Sequence, residues 1–227
     1  MASGAVSGST GMGAGHSGRR ARTRAALLRA ARELLTDGRE QASIEEITKR
    51  AGVGFGSFFN HFPEGKDELF TEAVLELLDA YAGWIRSVTE SLTDPAEVFA
   101  RSFRITGRLG TARADLFAPL LARGSEILFV DRGLRQAALA DLGAGVASGR
   151  FASLDPQVHL LAVGGVLLGL MRGATTGPGL SEDDIDAVSA GVLRMLGVPA
   201  DEAAEICTRP LPETPAVGEW FARVTPS

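Results

Sequence analysis

Apolar residues recur at three- and four-residue intervals along most of this 227-residue chain, and no stretch alternates apolar and polar side chains as a half-buried strand would. The pattern predicts an all-α protein. Leu27, Ala31, Leu34 and Leu35 mark one stripe of a helix over 19–37 that stops at Gly38. Leu69, Phe70, Ala73, Val74, Leu77, Tyr81, Trp84, Ile85 and Val88 continue at helical spacing from 66 to 91, too long for a small head alone, so this helix is expected to lead into a second domain and to act as a lever. Further helices are predicted over 95–108, 112–123 and 125–148. Asp155-Pro156 opens another, running to about Gly173, and Ser181-x-x-Asp184 opens the last, which stops at Gly197 before Pro199.

Two short helices are predicted between these long ones. Ser43-x-x-Glu46 reads as a capping box, in which two side chains satisfy backbone N–H groups reciprocally, and Gly52 stands where a left-handed residue closes the helix. Ile44, Ile47 and Ala51 share a face. After the turn, Gly54 caps a second short helix that puts Phe58 and Phe62 on its buried side and leaves Phe55, Ser57, Phe59, Asn60 and His61 around it. Two short helices across a tight glycine turn, followed by a long one, are the layout of a DNA-reading head. Phe55, Ser57 and Asn60 are the candidates for base edges, since Asn pairs bidentately with adenine and an apolar ring touches a thymine methyl. Arg19, Arg20, Arg22 and Arg24 either hold phosphates or form a solvated helix end.

The string Ala51-Gly52-Val53-Gly54-Phe55-Gly56-Ser57-Phe58-Phe59-Asn60-His61-Phe62, with Lys66 and Leu69, resembles the helix-turn-helix signature of the TetR family of transcriptional repressors. Phe59 stands where the family usually has Tyr, Gly54 where it has a Ser cap, and Thr48 where it has a small Ala. Pro63-Glu64-Gly65 lengthens the spacer before Lys66 by one residue. The resemblance implies phosphate contacts from Ser43, His61 and Lys66, and puts Phe59 in the DNA-facing set without the Tyr hydroxyl that commonly reaches a phosphate; for His61, packing as a neutral ring is the alternative. It also implies a C-terminal cavity for an inducer, and a homodimer whose two heads, about 34–36 Å apart, occupy successive major grooves of a palindromic operator.

Charge agrees with a polyanion at one end only. The net charge is −5, yet residues 19–66 hold ten Lys/Arg against six Asp/Glu, a net of +4, and the remainder carries −9. The single cysteine, Cys207, excludes an internal disulfide and suits a reducing cytoplasm. Three histidines at scattered positions form no metal-ligand spacing, and no nucleophile elbow, phosphate-binding glycine loop or paired zinc-histidine motif is present, so neither a cofactor nor catalysis is expected. Residues 1–18 and 206–227 read as tails around a head (19–66) and a larger helical domain (67–205); the first tail has no signal-peptide pattern.

Two further surfaces are expected in the larger domain. Gly165, Gly169 and Gly173 form a small-residue strip on a helix whose apolar run, from 160 to 171, is too short to cross a bilayer. With Leu161, Leu168, Arg172, Val188 and Leu193 it is the expected dimer interface, by resemblance; a helix buried within one chain is the alternative. Trp84, Phe99, Phe103, Phe117, Leu120 and Phe129 are core aromatics and aliphatics that would also suit an apolar or amphipathic effector, with Arg104, Arg108 and Gln136 as polar partners. The sequence thus predicts a cytoplasmic, DNA-binding, ligand-responsive homodimeric repressor. A helical interaction protein with only non-specific DNA association is the alternative.

Overall fold

A computed structural model describes residues 12–112, 130–176 and 179–212. Among them are α1 (Met12–Thr36), α2 (Ile44–Ala51), α3 (Phe55–Phe58), α4 (Lys66–Thr89), α5 (Pro95–Ala112), α6 (Gly133–Ala147), α7 (Pro156–Thr176), α8 (Glu182–Met195) and α9 (Ala200–Thr208), with no strand. The fold is all-α. The chain divides into two compact units after Ala73, within α4.

In the first unit, Leu27, Leu28, Ala31 and Leu34 of α1 are buried with Ile47 and Ala51 of α2, Phe58, Phe62, and Leu69 and Phe70 of α4. Helix α1 begins at Met12, inside the stretch expected to be a tail. Extending an existing helix needs no new nucleation, which is why the polar, glycine-rich segment can follow its neighbour. Gly52 closes α2 in the left-handed region, φ 66°, and the Val53 N–H bonds to the Thr48 carbonyl at 3.0 Å. Only half of the capping box forms. Ser43 Oγ accepts from the Glu46 N–H at 3.2 Å, but the Glu46 carboxylate pairs with Arg39 instead of returning to Ser43. Thr48, the departure from a small residue, is accommodated by hydrogen-bonding its hydroxyl to the Ile44 carbonyl at 2.9 Å.

The second unit is organised on α5, which packs against α6, α7, α8 and α9. Its core joins Phe99 and Phe103 of α5 to Leu142, Phe151, Leu160, Val163, Leu193, Leu196 and Ile206. Arg104, with a side chain only 5% exposed, makes a bidentate bond to Asp186 of α8, both N–H···O distances 2.7 Å, and donates to the Arg209 carbonyl beyond α9 at 2.7 Å. Burial works against the Asp186 carboxylate, but the Arg104 hydrogen bonds and the charges of Arg104 and Arg108 outweigh it and hold its pKa below the ordinary value. Arg150 joins Asp94, the residue preceding α5, to Glu202 of α9 at 2.8 and 2.6 Å.

At 21 residues, α7 is longer than its apolar run, and by length and mean hydropathy (1.4 over Pro156–Ala174) it is apolar enough to cross a membrane. The length argument made from the run alone therefore does not hold. Its packing does separate it from an all-round apolar span: Leu160, Val163 and Met171 are buried in this unit, and the buried His159 Nε2 lies 3.2 Å from the Ala152 carbonyl.

Asp186→Asn leaves Arg104 buried against a neutral partner and is expected to destabilise the protein by about 3 kcal/mol. Urea unfolding reads this directly, and the double change Arg104→Met with Asp186→Leu should recover most of the loss. Because the folded pKa of Asp186 is depressed, the contribution is present at neutral pH and is lost as pH falls through that folded value.

Candidate nucleic-acid interface and ligand cavity

Helix α3 is a single turn, shorter than the helix expected from Gly54 onward, and residues 59–61 continue it as a turn in which the His61 and Phe62 N–H groups both bond to the Phe58 carbonyl at 3.0 Å. Two rings hold it down. Phe58 and Phe62 are buried with centroids 5.9 Å apart, and the Arg24 guanidinium lies 5.3 Å from the Phe62 centroid while also pairing with Glu72 of α4 at 3.5 Å. Arg24 is thus a structural tie in the arginine cluster.

Anchoring Phe58 and Phe62 turns their neighbours outward. Phe55 is 55% exposed and Phe59 44% exposed, with their rings edge to face at 5.9 Å. Asn60 is exposed and Ser57 half-buried. Arg20, exposed like Arg19 and Arg22, donates to the Asn60 backbone carbonyl at 3.4 Å, so it reaches the turn without engaging the Asn60 amide. Ser43 caps α2, and His61 is half-buried. Burial first, then the charges of Arg20 and Arg24, lowers the His61 pKa, so the ring is neutral at neutral pH. Lys66 Nζ donates to the Gln41 carbonyl at 3.4 Å: the longer spacer turns it onto its own chain.

The second unit contains a cavity of about 150 Å³ between α4, α5, α6 and α7. Phe99 and Phe103 line it, stacked at 5.8 Å, with Leu78, Ile85, Leu142 and Met171 among the aliphatic walls. Trp84 does not: it packs against Tyr81, centroids 5.7 Å apart, beside Ile85 and Ile105. Phe117, Leu120 and Phe129 lie outside the described residues. Arg104 and Arg108 are committed to α8, and Gln136 bonds to the Asp131 carbonyl at 3.3 Å, so none of the three lines the cavity.

The polar lining comes from residues that the sequence reading passed over: Asp79, Tyr81, Ser102, Thr106, Arg132, Arg135 and Asp141. Tyr81 and Thr106 share a buried hydroxyl–hydroxyl bond of 2.8 Å. Asp79 accepts from Arg132 Nε at 2.6 Å, and the close approach requires Gly133, φ 48°, since a Cβ there would meet the Asp79 carboxylate oxygen at 2.0 Å. A signal was available. Asp79 falls on the Leu75/Leu78/Ala82 stripe and Asp141 on the Leu134/Ala138/Leu142 stripe, where an unpaired acid is out of place.

On α7, Leu161 is 46% exposed, Gly165, Gly169 and Arg172 are also exposed, and added Cβ atoms at Gly165, Gly169 and Gly173 would meet nothing within 4 Å. Leu168 is half-buried and also lines the cavity, and Val188 packs partly on the core. Leu193, expected on the same face, is instead fully buried in the core, because α8 turns it with Ile185 and Val192 toward α5.

An all-α chain with a helix-turn-helix head and a separate helical unit enclosing a cavity defines the class of one-component transcriptional regulators. The model for bacterial regulatory proteins of the tetR family matches residues 27–73, and that for the tetracyclin repressor-like C-terminal domain matches residues 94–209. This chain belongs to the TetR family of DNA-binding transcriptional regulators. A crystal structure of RolR in complex with resorcinol superposes with TM-score 0.74 at 32% identity, covering 87% of this chain and 98% of that one; ligand-free RolR gives 0.69 at 33%, covering 83% and 98%. The HTH-type transcriptional regulator LmrA of Bacillus subtilis (strain 168) is 41% identical over 54 residues, 24% of this chain and 29% of LmrA. Thermus thermophilus FadR, in complex with lauroyl-CoA, shares the fold at 22% identity and TM-score 0.55, covering 76% of this chain and 92% of that one.

If His61 meets a phosphate, the anion raises its lowered pKa and binding takes up a proton. DNA affinity should therefore rise as pH falls from about 8 to about 5.5, around the ordinary imidazole value. Fluorescence anisotropy at constant salt measures this, and His61→Gln should flatten the profile. A flat profile in the unaltered protein removes His61 from the interface.

Proposed function

We propose that this regulator is a homodimeric, ligand-responsive repressor: residues 19–66 bind a palindromic operator, the 67–205 region binds an effector and dimerises, and effector binding releases the DNA. The observation that carries the reading is the pair of exposed aromatic rings, Phe55 and Phe59, set beside Asn60 and Arg20 on a turn whose other side is anchored in the core. Large apolar rings held in solvent need a partner surface, and the thymine methyl edge of a major groove supplies one. Arg19, Arg20, Arg22, Ser43 and His61 would contact phosphates, while Phe55, Ser57 and Asn60 would read bases. Lys66 is the weakest member, given its bond to Gln41.

The effector would occupy the cavity between α4, α5, α6 and α7. RolR, whose crystal structure holds resorcinol, supports a compound the size of one aromatic ring, and cavities near 150 Å³ accept molecules of that size. Release follows if the effector binds the DNA-incompetent conformation better, which is reciprocal thermodynamic coupling between two sites. The open glycine strip of α7 would take a second copy of this chain, with Leu161 and Arg172 at its edge.

Selection of bound sequences from a random DNA library, at two salt concentrations, tests the regulator reading; an inverted repeat is expected. Recovery of no motif, with binding that vanishes as salt rises, would favour the non-specific alternative. Asn60→Ala keeps the backbone bond to Arg20, so it should weaken operator binding roughly tenfold while leaving non-specific binding unchanged. A uniform loss on all sequences would remove Asn60 from base readout. A Cβ at Gly169 meets nothing within 4 Å among the described residues, so Gly169→Leu should yield a folded monomer by light scattering; an unchanged dimer mass sinks the interface assignment.

A further inference from the structure

The cavity lining is unevenly satisfied. Among the described residues its charged members are Asp79, Asp141, Arg132 and Arg135, two of each sign. Asp79 and Arg132 are paired at 2.6 Å, and Arg135 donates to Asp131 at 3.1 Å and to Gln157 at 2.5 Å. Asp141 is different: it is half-buried against the cavity and has no hydrogen-bond or ion-pair partner among the described residues. Burial raises its pKa above the ordinary carboxylate value, opposed by the charge of Arg86, so its charged form is poorly stabilised by the surrounding side chains.

Such a group is satisfied most directly by a ligand that brings a hydrogen-bond donor. A cationic ligand would add a net charge to a lining whose charges cancel among the described residues, and an anionic ligand would meet Asp141 as a like charge. The Phe99–Phe103 stack and the Tyr81 ring supply aromatic walls, and the volume is that of a single ring. We propose that the cavity takes an uncharged, one-ring aromatic compound bearing a hydroxyl group, and that Asp141 is the specificity-determining residue that accepts the hydroxyl hydrogen. Ser102 and the Tyr81–Thr106 hydroxyl pair, which line the same cavity, offer a second polar site to a ring with two hydroxyls. The inference rests on the ligand-responsive reading and narrows its effector.

The test uses full-length protein and four probes of matched shape: phenol, benzene, benzylamine and benzoate. Calorimetry should give phenol a roughly ten- to hundredfold tighter affinity than benzene, the range expected of a hydrogen bond to a carboxylate. Asp141→Leu should abolish that preference while keeping benzene binding, which also reports an intact cavity. Asp141→Asn, which retains an acceptor oxygen, should preserve part of it. Equal binding of phenol and benzene, tighter binding of benzylamine or benzoate, a preference that survives Asp141→Leu, or no binding of any probe would each overturn the proposal. Operator release by the same four compounds separates the two levels. Phenol binding with the expected Asp141 dependence but no release overturns the ligand-responsive reading alone, and release by benzylamine or benzoate without phenol preference overturns only the effector class.

Discussion

Arg104 cannot leave its place. Its guanidinium is almost wholly withdrawn from water, so the Asp186 carboxylate and the Arg209 carbonyl must meet it, and that requirement fixes the rotation of α5 about its own axis. At about 100° per residue, positions 102, 103 and 106 then point well away from position 104. Those are the residues that line the cavity, together with Phe99 one turn earlier. The same helix carries a charged clamp toward α8 and an aromatic, hydroxyl-bearing wall toward α4 and α6. A buried ion pair of this kind is weak evidence for stability but a strict device for register, because slipping α5 by one residue would strand the charge. Arg150 acts similarly at the other end, linking Asp94 before α5 to Glu202 of α9.

In the first unit the equivalent constraint is aromatic. A single helical turn has little stability of its own, so α3 depends on its rings. With Phe58 and Phe62 buried and Arg24 against Phe62, the outward positions follow from helical geometry: Phe55 and Phe59 share a side, and Asn60 follows. Phe59, where the family usually has Tyr, lacks the hydroxyl but keeps the ring, which makes this exposed surface more apolar. Arg20, by bonding to the Asn60 backbone, puts a cation beside that apolar pair without occupying the amide.

What could be read in advance was local. Ser181 and Asp184 form both halves of their capping box, Gly52 takes its left-handed turn, and Phe58 and Phe62 are core, all consequences of residues within a few positions of one another. Other features depend on partners outside the local pattern. Glu46 leaves Ser43 for Arg39, and Arg104 finds an acid 82 positions away. Trp84 and Leu193 were misplaced for a related reason: a helical stripe says that a residue is apolar-facing but not which neighbour it faces. The cavity was legible only as a region. Aromatic content marks Phe99 and Phe103, while the acids that give the cavity its chemistry stand on helical stripes that otherwise read as core.

An acid on an apolar stripe is the more informative signal because it is the more unfavourable one. Asp79 has Arg132, and the cavity around that pair is electrostatically complete. Asp141 lines the same space without such a partner among the described residues, so this unit holds a poorly solvated carboxylate in a cavity with aromatic walls. A ligand that donates to it gains more from this conformation than from one in which Asp141 reaches water. That difference is what coupling requires, since a ligand can shift a conformational equilibrium only by its differential affinity for the two states. A purely apolar cavity would distinguish its states chiefly by volume. A cavity with one unsatisfied acceptor distinguishes them by a hydrogen bond, a directional interaction sensitive to small displacements of α6 relative to α5. The residue that makes the empty cavity least comfortable is therefore the one best placed to make its occupancy felt elsewhere in the unit.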